Sequence, residues 1–252
     1  MSLVDTDWLE KNINKVKVID CSWHMPAENR NPEEEFKKEH IPSAIFFDLD
    51  KNSKNDTDLP HMLPATNEWN KIVSNLGISK EDHIIIYDNS NVMSSCRCWY
   101  NFIYFGHDPK LISVLDGGFR KWKQENKKTS NEIIKFSKTE YMGQELTSLV
   151  KDKVKINNNI SKKEFVVIDA RSKERFEGKV PDPRKNVRSG SIPNSICLPF
   201  MQVINEDYSF KNAAKLKSLF ENTLEKPTDK PVFSCGSGVT ACVLALAYSL
   251  VN

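Results

Sequence analysis

One cysteine in the last part of the chain lies where the local backbone would make it reactive. Cys235 follows an apolar run at 230–233, which predicts a short buried strand, and precedes an apolar run at 239–251, which predicts a buried helix. In such a strand-to-helix turn, successive amide N–H groups and the positive end of the helix dipole face the side chain. Both features favour the thiolate, the nucleophilic form of cysteine. A buried cysteine is often only a small apolar side chain, but the flanking Gly236 and Gly238 favour a predicted nucleophile.

Six short segments along the chain carry a resemblance to a known family. They are Asp20-Cys21-Ser22-Trp23, His40-Ile41-Pro42-Ser43-Ala44, His61-Met62-Leu63-Pro64, Asp116-Gly117-Gly118-Phe119, Ser191-Ile192-Pro193-Asn194 and Cys235-Gly236-Ser237-Gly238-Val239-Thr240-Ala241. In order and in content this set resembles the rhodanese superfamily over nearly the whole chain. The last segment is similar to the active-site loop of 3-mercaptopyruvate sulfurtransferases. Thiosulfate sulfurtransferases usually carry two basic side chains where this chain has Gly236 and Ser237.

The chain repeats one pattern with a spacing of about 150 residues. Residues 16–20 and 165–169 are both β-rich runs that end in aspartate, and the strand before Asp88 corresponds to the strand before Cys235. Short apolar strands separated by amphipathic helical stretches predict βα units and a parallel sheet. Ligands gather at the C-terminal strand edges of such sheets. Because Asp88 stands at the nucleophile's position, the first half cannot perform the same covalent chemistry.

These observations predict an α/β protein with two tandem rhodanese-like domains, each a parallel sheet flanked by helices. We expect a non-catalytic domain at 1–122, a polar linker at 123–138 and the catalytic domain at 139–252, which a helix over 145–157 would open. The first half continues through a strand and a helix start at 111–122 that have no counterpart in the second half. The second domain is therefore expected to be truncated at its C-terminus, lacking that strand and helix, with lower stability and weak turnover.

Two arginines in the loop after the second-half aspartate are candidate substrate ligands. A guanidinium grips a carboxylate with two parallel hydrogen bonds, although isolated arginines in polar loops are usually solvated. The resemblance implies that Arg175 and Arg184 bind the carboxylate of an α-keto acid, because mercaptopyruvate sulfurtransferases use two arginines at this spacing. Arg171 is expected to form a structural ion pair, and Arg188 is left without a role.

The resemblance also implies a proton relay. Ser237, two residues after the nucleophile, is expected to work with His61 and Asp50 from the first half. Such a Ser-His-Asp group could move a proton to or from the substrate as its C–S bond breaks. The residues alone would equally fit a loop histidine bonded to the backbone and a turn aspartate.

The reaction that the resemblance implies is sulfur transfer. The Cys235 thiolate would attack the sulfur of 3-mercaptopyruvate, pyruvate would leave, and a persulfide would remain for a thiol acceptor such as reduced thioredoxin, or for cyanide. Stabilisation of the persulfide anion, in the manner of an oxyanion hole, falls to the loop residues Gly236, Gly238, Val239 and Thr240. The sequence shows neither a metal-ligand cluster nor a phosphate-binding glycine motif, so no cofactor is expected.

Three other functions share parts of this pattern. Thiosulfate:cyanide sulfurtransferase is the nearest, but that dianion would benefit from basic loop side chains that Gly236 and Ser237 do not supply. Cysteine phosphatases need an arginine six positions after the cysteine, where this chain has Ala241. A catalytically inactive rhodanese-like binding module stays open because of the expected truncation.

Composition narrows the class of protein further. The 252 residues carry a net charge of only +2, so neither a nucleic-acid partner nor a membrane surface is indicated. The six cysteines show no disulfide framework. The first residues lack both a secretory pattern and an Arg-rich amphipathic leader, which predicts a cytoplasmic protein; a mitochondrial location is the alternative.

Overall fold

The computed structural model describes residues 2–184, 187–224, 226 and 230–252. The chain divides into two compact units: Met1–Thr147 with Glu206–Ser209, called the first unit here, and Ser148–Asn205 with Phe210–Asn252, called the second unit. Both are built on parallel strands accompanied by helices. This confirms the predicted fold class.

The strands of the first unit form one parallel sheet. They are Leu3–Val4 (β1), Lys17–Asp20 (β2), Ala44–Phe46 (β3), Ile84–Tyr87 (β4) and Ile112–Leu115 (β5). Their order across the sheet is β1–β5–β4–β2–β3. β4 and β5 are buried at every position, as expected when helices cover both faces of a parallel sheet. Because β2 and β4 are parallel neighbours, the loops that follow them leave the sheet at the same edge.

The helices of the first unit surround this sheet. Those described are Thr6–Asn12 (α1), Pro32–Lys38 (α2), Thr66–Asn75 (α3), Ser95–Tyr104 (α4) and Gly118–Gln124 (α5), with 3₁₀ turns at Ile13–Lys15, Pro26–Glu28 and Pro109–Leu111. On α4, eight of the ten residues are buried, and the helix begins directly after the loop that follows β4. Trp69 of α3 packs edge-on against Phe102 of α4, with 5.0 Å between the ring centroids. The loop after β4 therefore ends in a helix that the core holds in place.

The segment after α5 packs on the first unit. Ser130 forms an isolated antiparallel bridge with His40, Thr139 N–H donates to the carbonyl of Ser74 at 3.1 Å, and Tyr141 is 1% exposed. These contacts place residues up to 147 with the first unit, beyond the linker predicted at 123–138. The functional boundaries at 122 and 139 stay a prediction.

The second unit has a smaller described sheet. Its strands are Val166–Asp169 (β6), Ile196–Cys197 (β7) and Pro231–Ser234 (β8), in the order β7–β6–β8 with parallel pairing. The helices are Lys153–Lys162 (α6), Lys173–Phe176 (α7), Ala213–Thr223 (α8) and Thr240–Ser249 (α9), and a 3₁₀ turn spans Phe200–Val203. Unlike β4, β8 is only half-buried at each of its four positions. Among the described residues it pairs with β6 alone.

One helix start differs from expectation. The sequence predicts a helix over 145–157, whereas α6 begins at Lys153. The side chain of Asp152 caps it by accepting from the Lys155 N–H at 2.8 Å, and aspartate is one of the residues preferred at this position. In the part of the chain that the structure describes, no helix is long and apolar enough to cross a membrane.

Candidate active site

The predicted nucleophile lies in a tight turn between β8 and α9. The strand ends at Ser234 and the helix begins at Thr240. Gly238 has a φ of +80°, a backbone conformation that side chains with a Cβ disfavour. Its N–H points back and donates to Cys235 Sγ at 3.1 Å. The loop therefore supplies a backbone donor to the sulfur, as the sequence predicts, and Cys235 is half-buried.

The two candidate arginines reach the same loop. A Cβ at Gly236 would lie 3.5 Å from Arg175 Nη2 and 3.6 Å from Arg184 Nη2. Arg184 also donates to the carbonyl oxygen of Gly236. Two guanidinium groups thus lie within a few ångströms of the residue that follows the nucleophile. A Cβ at position 236 would therefore be in van der Waals contact with both arginines.

A buried aspartate holds the two arginines together. Arg175 Nη2 donates to Asp182 Oδ2 at 2.7 Å, and Arg184 Nε donates to Asp182 Oδ1 at 2.9 Å. The Asp182 side chain is 1% exposed. Arg184, followed by Arg175, holds the pKa of this carboxyl well below its ordinary range despite its burial. Two cations share one anion, so the cluster carries net positive charge. Asp182 is not among the predicted site residues, although its position between the two arginines in the sequence is a signal.

One hydrogen-bond donor of Arg175 is not used in its contact with Asp182. Its Nε atom is buried and has no hydrogen-bond partner among the described residues. Buried donors are normally satisfied, so an unsatisfied one at a candidate site calls for an explanation. A bound carboxylate would supply the missing acceptor.

The other arginines behave differently. Arg171 donates from Nε and Nη2 to the two oxygens of Asp169, at 3.0 and 2.7 Å, and from Nη2 to the carbonyl of Gly190 at 2.8 Å. This confirms the expected structural ion pair. Arg188 is exposed.

In the first unit, the structure brings the predicted histidine and aspartate together. His61 Nε2 and Asp50 Oδ1 are 2.8 Å apart, and this bond is the main reason that the pKa of Asp50 lies below its ordinary value. Because an ionised carboxylate only accepts hydrogen bonds, we assign the proton of the neutral ring to Nε2. Nδ1 is then the basic nitrogen, and it is buried without a partner among the described residues.

His61 itself is held in an uncommon conformation. Its φ is +54°, and its carbonyl oxygen accepts from Arg97 Nη2 at 2.6 Å. The ring is 3% exposed, whereas the Asp50 side chain is 66% exposed. A non-glycine residue with positive φ costs backbone energy and is often found at functional sites. The sequence offers no sign of this conformation.

The predicted site residues thus form two groups. Cys235, Gly236, Arg175 and Arg184 lie together in the second unit, and His61 lies with Asp50 in the first. Ser237 and Thr240 are half-buried and Val239 is buried. The roles given to these residues stay predictions. Among the described residues no three His, Cys, Asp or Glu side chains are grouped so that they could hold a metal ion.

The counterpart loop of the first unit contains a carboxylate instead of a thiol. Asp88 follows β4 and is 7% exposed. Its Oδ1 accepts from the Ser90 N–H and its Oδ2 from the Ser95 N–H, both at 2.8 Å. Burial raises the pKa of Asp88 above its ordinary value. The amides that would meet an anion in an active loop therefore bind the loop's own side chain.

Both halves of the chain match one known protein family. The rhodanese-like domain family matches residues 5–125 and again 152–251. The chain therefore belongs to the rhodanese family.

Its relatives include named enzymes. It is 39% identical to thiosulfate/3-mercaptopyruvate sulfurtransferase 1, mitochondrial, of Arabidopsis thaliana, over 97% of this chain and 70% of the relative. It is 36% identical to 3-mercaptopyruvate sulfurtransferase of Mus musculus, over 97% of this chain and 84% of the relative. Among solved structures, SseA of Escherichia coli, described as a 3-mercaptopyruvate sulfotransferase with the rhodanese fold, superposes with a TM-score of 0.90 at 28% identity, covering 100% of this chain and 94% of that one.

Proposed function

We propose that this chain is a sulfurtransferase that moves sulfur from 3-mercaptopyruvate, through a persulfide on Cys235, to a thiol acceptor or cyanide, with release of pyruvate. One observation carries the choice of donor: two guanidinium groups, clamped by one buried carboxylate, lie beside the loop of the nucleophile. The names of the Arabidopsis and mouse relatives support the same donor.

Binding begins at the arginines. The carboxylate of the α-keto acid accepts from Arg175 and Arg184, including the unsatisfied Nε of Arg175. Charged hydrogen bonds of this kind contribute about 1.5–3 kcal/mol each. They hold the substrate with its thiol toward Cys235.

The chemical step then conserves the electron pair and the proton. The Cys235 thiolate attacks the substrate sulfur, so that an S–S bond forms and the C–S bond breaks, with its electron pair going to carbon. The resulting enolate takes up the proton that the substrate thiol gave up, and pyruvate leaves. A persulfide anion remains on Cys235, near the N–H of Gly238. An acceptor thiol removes the outer sulfur as its own persulfide, and cyanide would remove it as thiocyanate.

The proton is assigned to the predicted relay. In this proposal Ser237 and the basic Nδ1 of His61 carry the proton from the substrate sulfur to carbon. Asp50 keeps the His61 ring in the tautomer that leaves Nδ1 free. A positioned acid–base group of this kind contributes about 10²–10⁴ in rate.

Thiosulfate is the second candidate donor, because the Arabidopsis relative is named for both donors. The loop favours mercaptopyruvate, since Gly236 and Ser237 supply no basic side chain for the thiosulfate dianion. A thioredoxin-like acceptor and a cytoplasmic location also belong to the proposal.

The test is direct. Protein incubated with 3-mercaptopyruvate and no acceptor should gain the mass of one sulfur atom on the peptide that contains Cys235. Pyruvate release should become catalytic once a thiol is added. Cys235→Ser should abolish both the adduct and turnover, by more than about a thousandfold.

Cys197→Ser is the matched control, because Cys197 is the other half-buried cysteine and lies at the end of a strand of the same sheet that Cys235 follows. It should keep the adduct and the turnover. Full activity of Cys235→Ser would rule out the persulfide mechanism. A higher kcat/KM for thiosulfate would favour the second donor, and no adduct with either donor would favour an inactive binding module.

A further inference from the structure

Trp23 contacts both members of the His61–Asp50 pair. Its indole Nε1–H donates to Asp50 Oδ2 at 3.0 Å, while His61 Nε2 bonds the other oxygen, Oδ1. The Trp23 and His61 rings meet edge to face, with 4.8 Å between centroids and 87° between planes. The carboxylate is thus held at both oxygens, and the histidine ring is held at a nitrogen and by its contact with the indole ring.

The backbone of Trp23 is tied to the loop that follows β4. Its N–H is shared between Ser90 Oγ at 2.9 Å and Ser94 Oγ at 3.1 Å. The two hydroxyls lie 2.7 Å apart, and Ser94 Oγ donates to the carbonyl of Cys21 at 2.6 Å. Ser90 is 2% exposed and Ser94 is 0% exposed. These bonds connect the loop after β2 to the loop after β4.

The loop after β4 is in turn fixed by its own carboxylate. Asp88 binds the amides of Ser90 and Ser95 at the two ends of the loop. Gly118 packs against the same residue so closely that a Cβ there would lie 2.5 Å from the Asp88 carbonyl oxygen. A continuous series of contacts therefore runs from Asp88 through Ser90 and Ser94 to Trp23.

We propose that Trp23 is a positioning residue for the His61–Asp50 pair, and that the loop 88–95, the counterpart of the Cys235 loop, serves to hold Trp23 in place. The proposal rests on the acid–base role of His61 in the proposed function. In this proposal the loop 88–95 has a structural role and takes no part in sulfur chemistry.

A positioning residue is needed because the Asp50 side chain is largely exposed to solvent. Two-thirds of the Asp50 side chain is open to solvent, so a single bond to His61 would leave the carboxylate free to rotate and to bind water. The second bond, from the indole, fixes the carboxylate plane. A fixed carboxylate keeps the ring proton on Nε2, and loss of the orienting partner in such a relay leaves the wrong tautomer populated.

The experiment compares Trp23→Phe with Trp8→Phe. Both tryptophans are half-buried and both pack against a histidine ring, since Trp8 lies 5.3 Å from His83. Phenylalanine keeps an aromatic ring and removes the N–H. The first readout, the ¹⁵N chemical shifts of the His61 ring, needs no substrate. In Trp23→Phe they should move from those of the Nε2–H tautomer toward a mixture, and in Trp8→Phe they should not change.

The second readout is kinetic. We expect Trp23→Phe to lower kcat for pyruvate release about tenfold, a part of what acid–base catalysis contributes, while KM changes less than about twofold because the arginines are untouched. Trp8→Phe should keep both. Unchanged His61 shifts and unchanged kcat in Trp23→Phe would overturn the proposal.

Further variants separate this proposal from the proposed function. If Asp50→Asn lowers kcat and Trp23→Phe does not, the positioning role is wrong and the relay stands. If Cys235 takes up no sulfur in the unmutated protein, the function is wrong, and the ring shifts still decide whether Trp23 orients His61. If Trp23→Phe does not fold, Ser90→Ala with Ser94→Ala tests the same contacts: a partial tautomer shift supports the proposal, and unchanged ring shifts overturn it.

Discussion

The two strand-to-helix loops of this protein occupy equivalent places and use their backbone N–H groups in different ways. β4 pairs with β2 and β8 pairs with β6, and both partner strands end in aspartate. In the first loop, Asp88 accepts two amides from its own loop. In the second, Cys235 accepts from Gly238, and positive charge comes from Arg175 and Arg184 beside the loop. The fold thus supplies a turn with backbone N–H donors in both units. The residue at the start of the turn decides whether these donors bind a carboxylate, as at Asp88, or a thiol that can react, as at Cys235.

The acids near the two loops also differ in their electrostatics. Burial raises the pKa of Asp20, at the end of β2, to about 6, and raises that of Asp88. In the second unit, Arg184 and Arg175 lower the pKa of Asp182. The first unit therefore contains acids that resist ionisation, and the second contains an acid that stays ionised to hold two cations. This difference can be tested at single residues.

Among the charged residues that distinguish the two loops, the largest effect is expected at the arginines. Arg175→Ala or Arg184→Ala should lower kcat/KM for 3-mercaptopyruvate by roughly ten- to a hundredfold, because each removes a charged hydrogen-bond donor worth about 1.5–3 kcal/mol. Steady-state pyruvate release gives the measurement. Arg188→Ala is the control, since Arg188 is exposed and should leave kcat/KM unchanged. An equal loss of kcat/KM in all three variants would mean that the arginines act through overall charge and do not bind the substrate carboxylate directly.

A smaller effect is expected at the acid that clamps the arginines. Asp182→Asn keeps one acceptor and removes the charge, so the guanidinium groups lose their fixed orientation, and KM should rise roughly tenfold, about 1.4 kcal/mol. Glu174→Gln, at an exposed acid next to Arg175, should not change KM.

The pH dependence of Asp182 has a defined sign. Its pKa is lowered in the folded protein, so the stability that it contributes is present above the ordinary carboxyl pKa of about 3.9 and is lost as the pH falls toward the lowered value. Between pH 7 and pH 4 the clamp should therefore stay ionised. A KM for the unmutated protein that approaches that of Asp182→Asn already at pH 5 would contradict this assignment.

Much of this arrangement could be predicted from residue types and order along the chain. The apolar runs before Asp88 and Cys235 indicate β4 and β8, and the glycines of the second loop indicate a turn around a reactive thiol. Contacts between residues distant in sequence could not be predicted in the same way. The bond from Trp23 to Asp50 needs two loops to meet, and no spacing rule describes that.

Three features of the structure could not be predicted, each for its own physical reason. An aspartate between two loop arginines is unremarkable in sequence, because only burial turns Asp182 into a clamp. The polar stretch after 122 lacks any periodic pattern, yet its backbone bonds and Tyr141 bring it onto the first unit. The helix predicted over 145–157 begins too early, because the cap at Asp152 decides where α6 begins.

The smallest effect is expected at Asp20 and has the opposite pH sign to that of Asp182. Its folded pKa of about 6 lies above the ordinary carboxyl value, so its contribution to stability is fully present below about pH 3.9 and is lost as the pH rises through about 6. Asp20→Asn keeps an oxygen to accept from the Ser22 N–H, now bonded at 2.8 Å, and cannot ionise. Relative to the unmutated protein, the variant should therefore gain about 1 kcal/mol in unfolding free energy between pH 4 and pH 7, less than the full linkage of two pKa units because native structures relax around a buried charge.

The five tryptophans all lie between Trp8 and Trp122, so denaturant unfolding followed by tryptophan fluorescence reports the first unit. If the difference in unfolding free energy between the two proteins stays constant across this pH range, Asp20 does not oppose ionisation. The two units would then not differ in the electrostatics of their acids as described above.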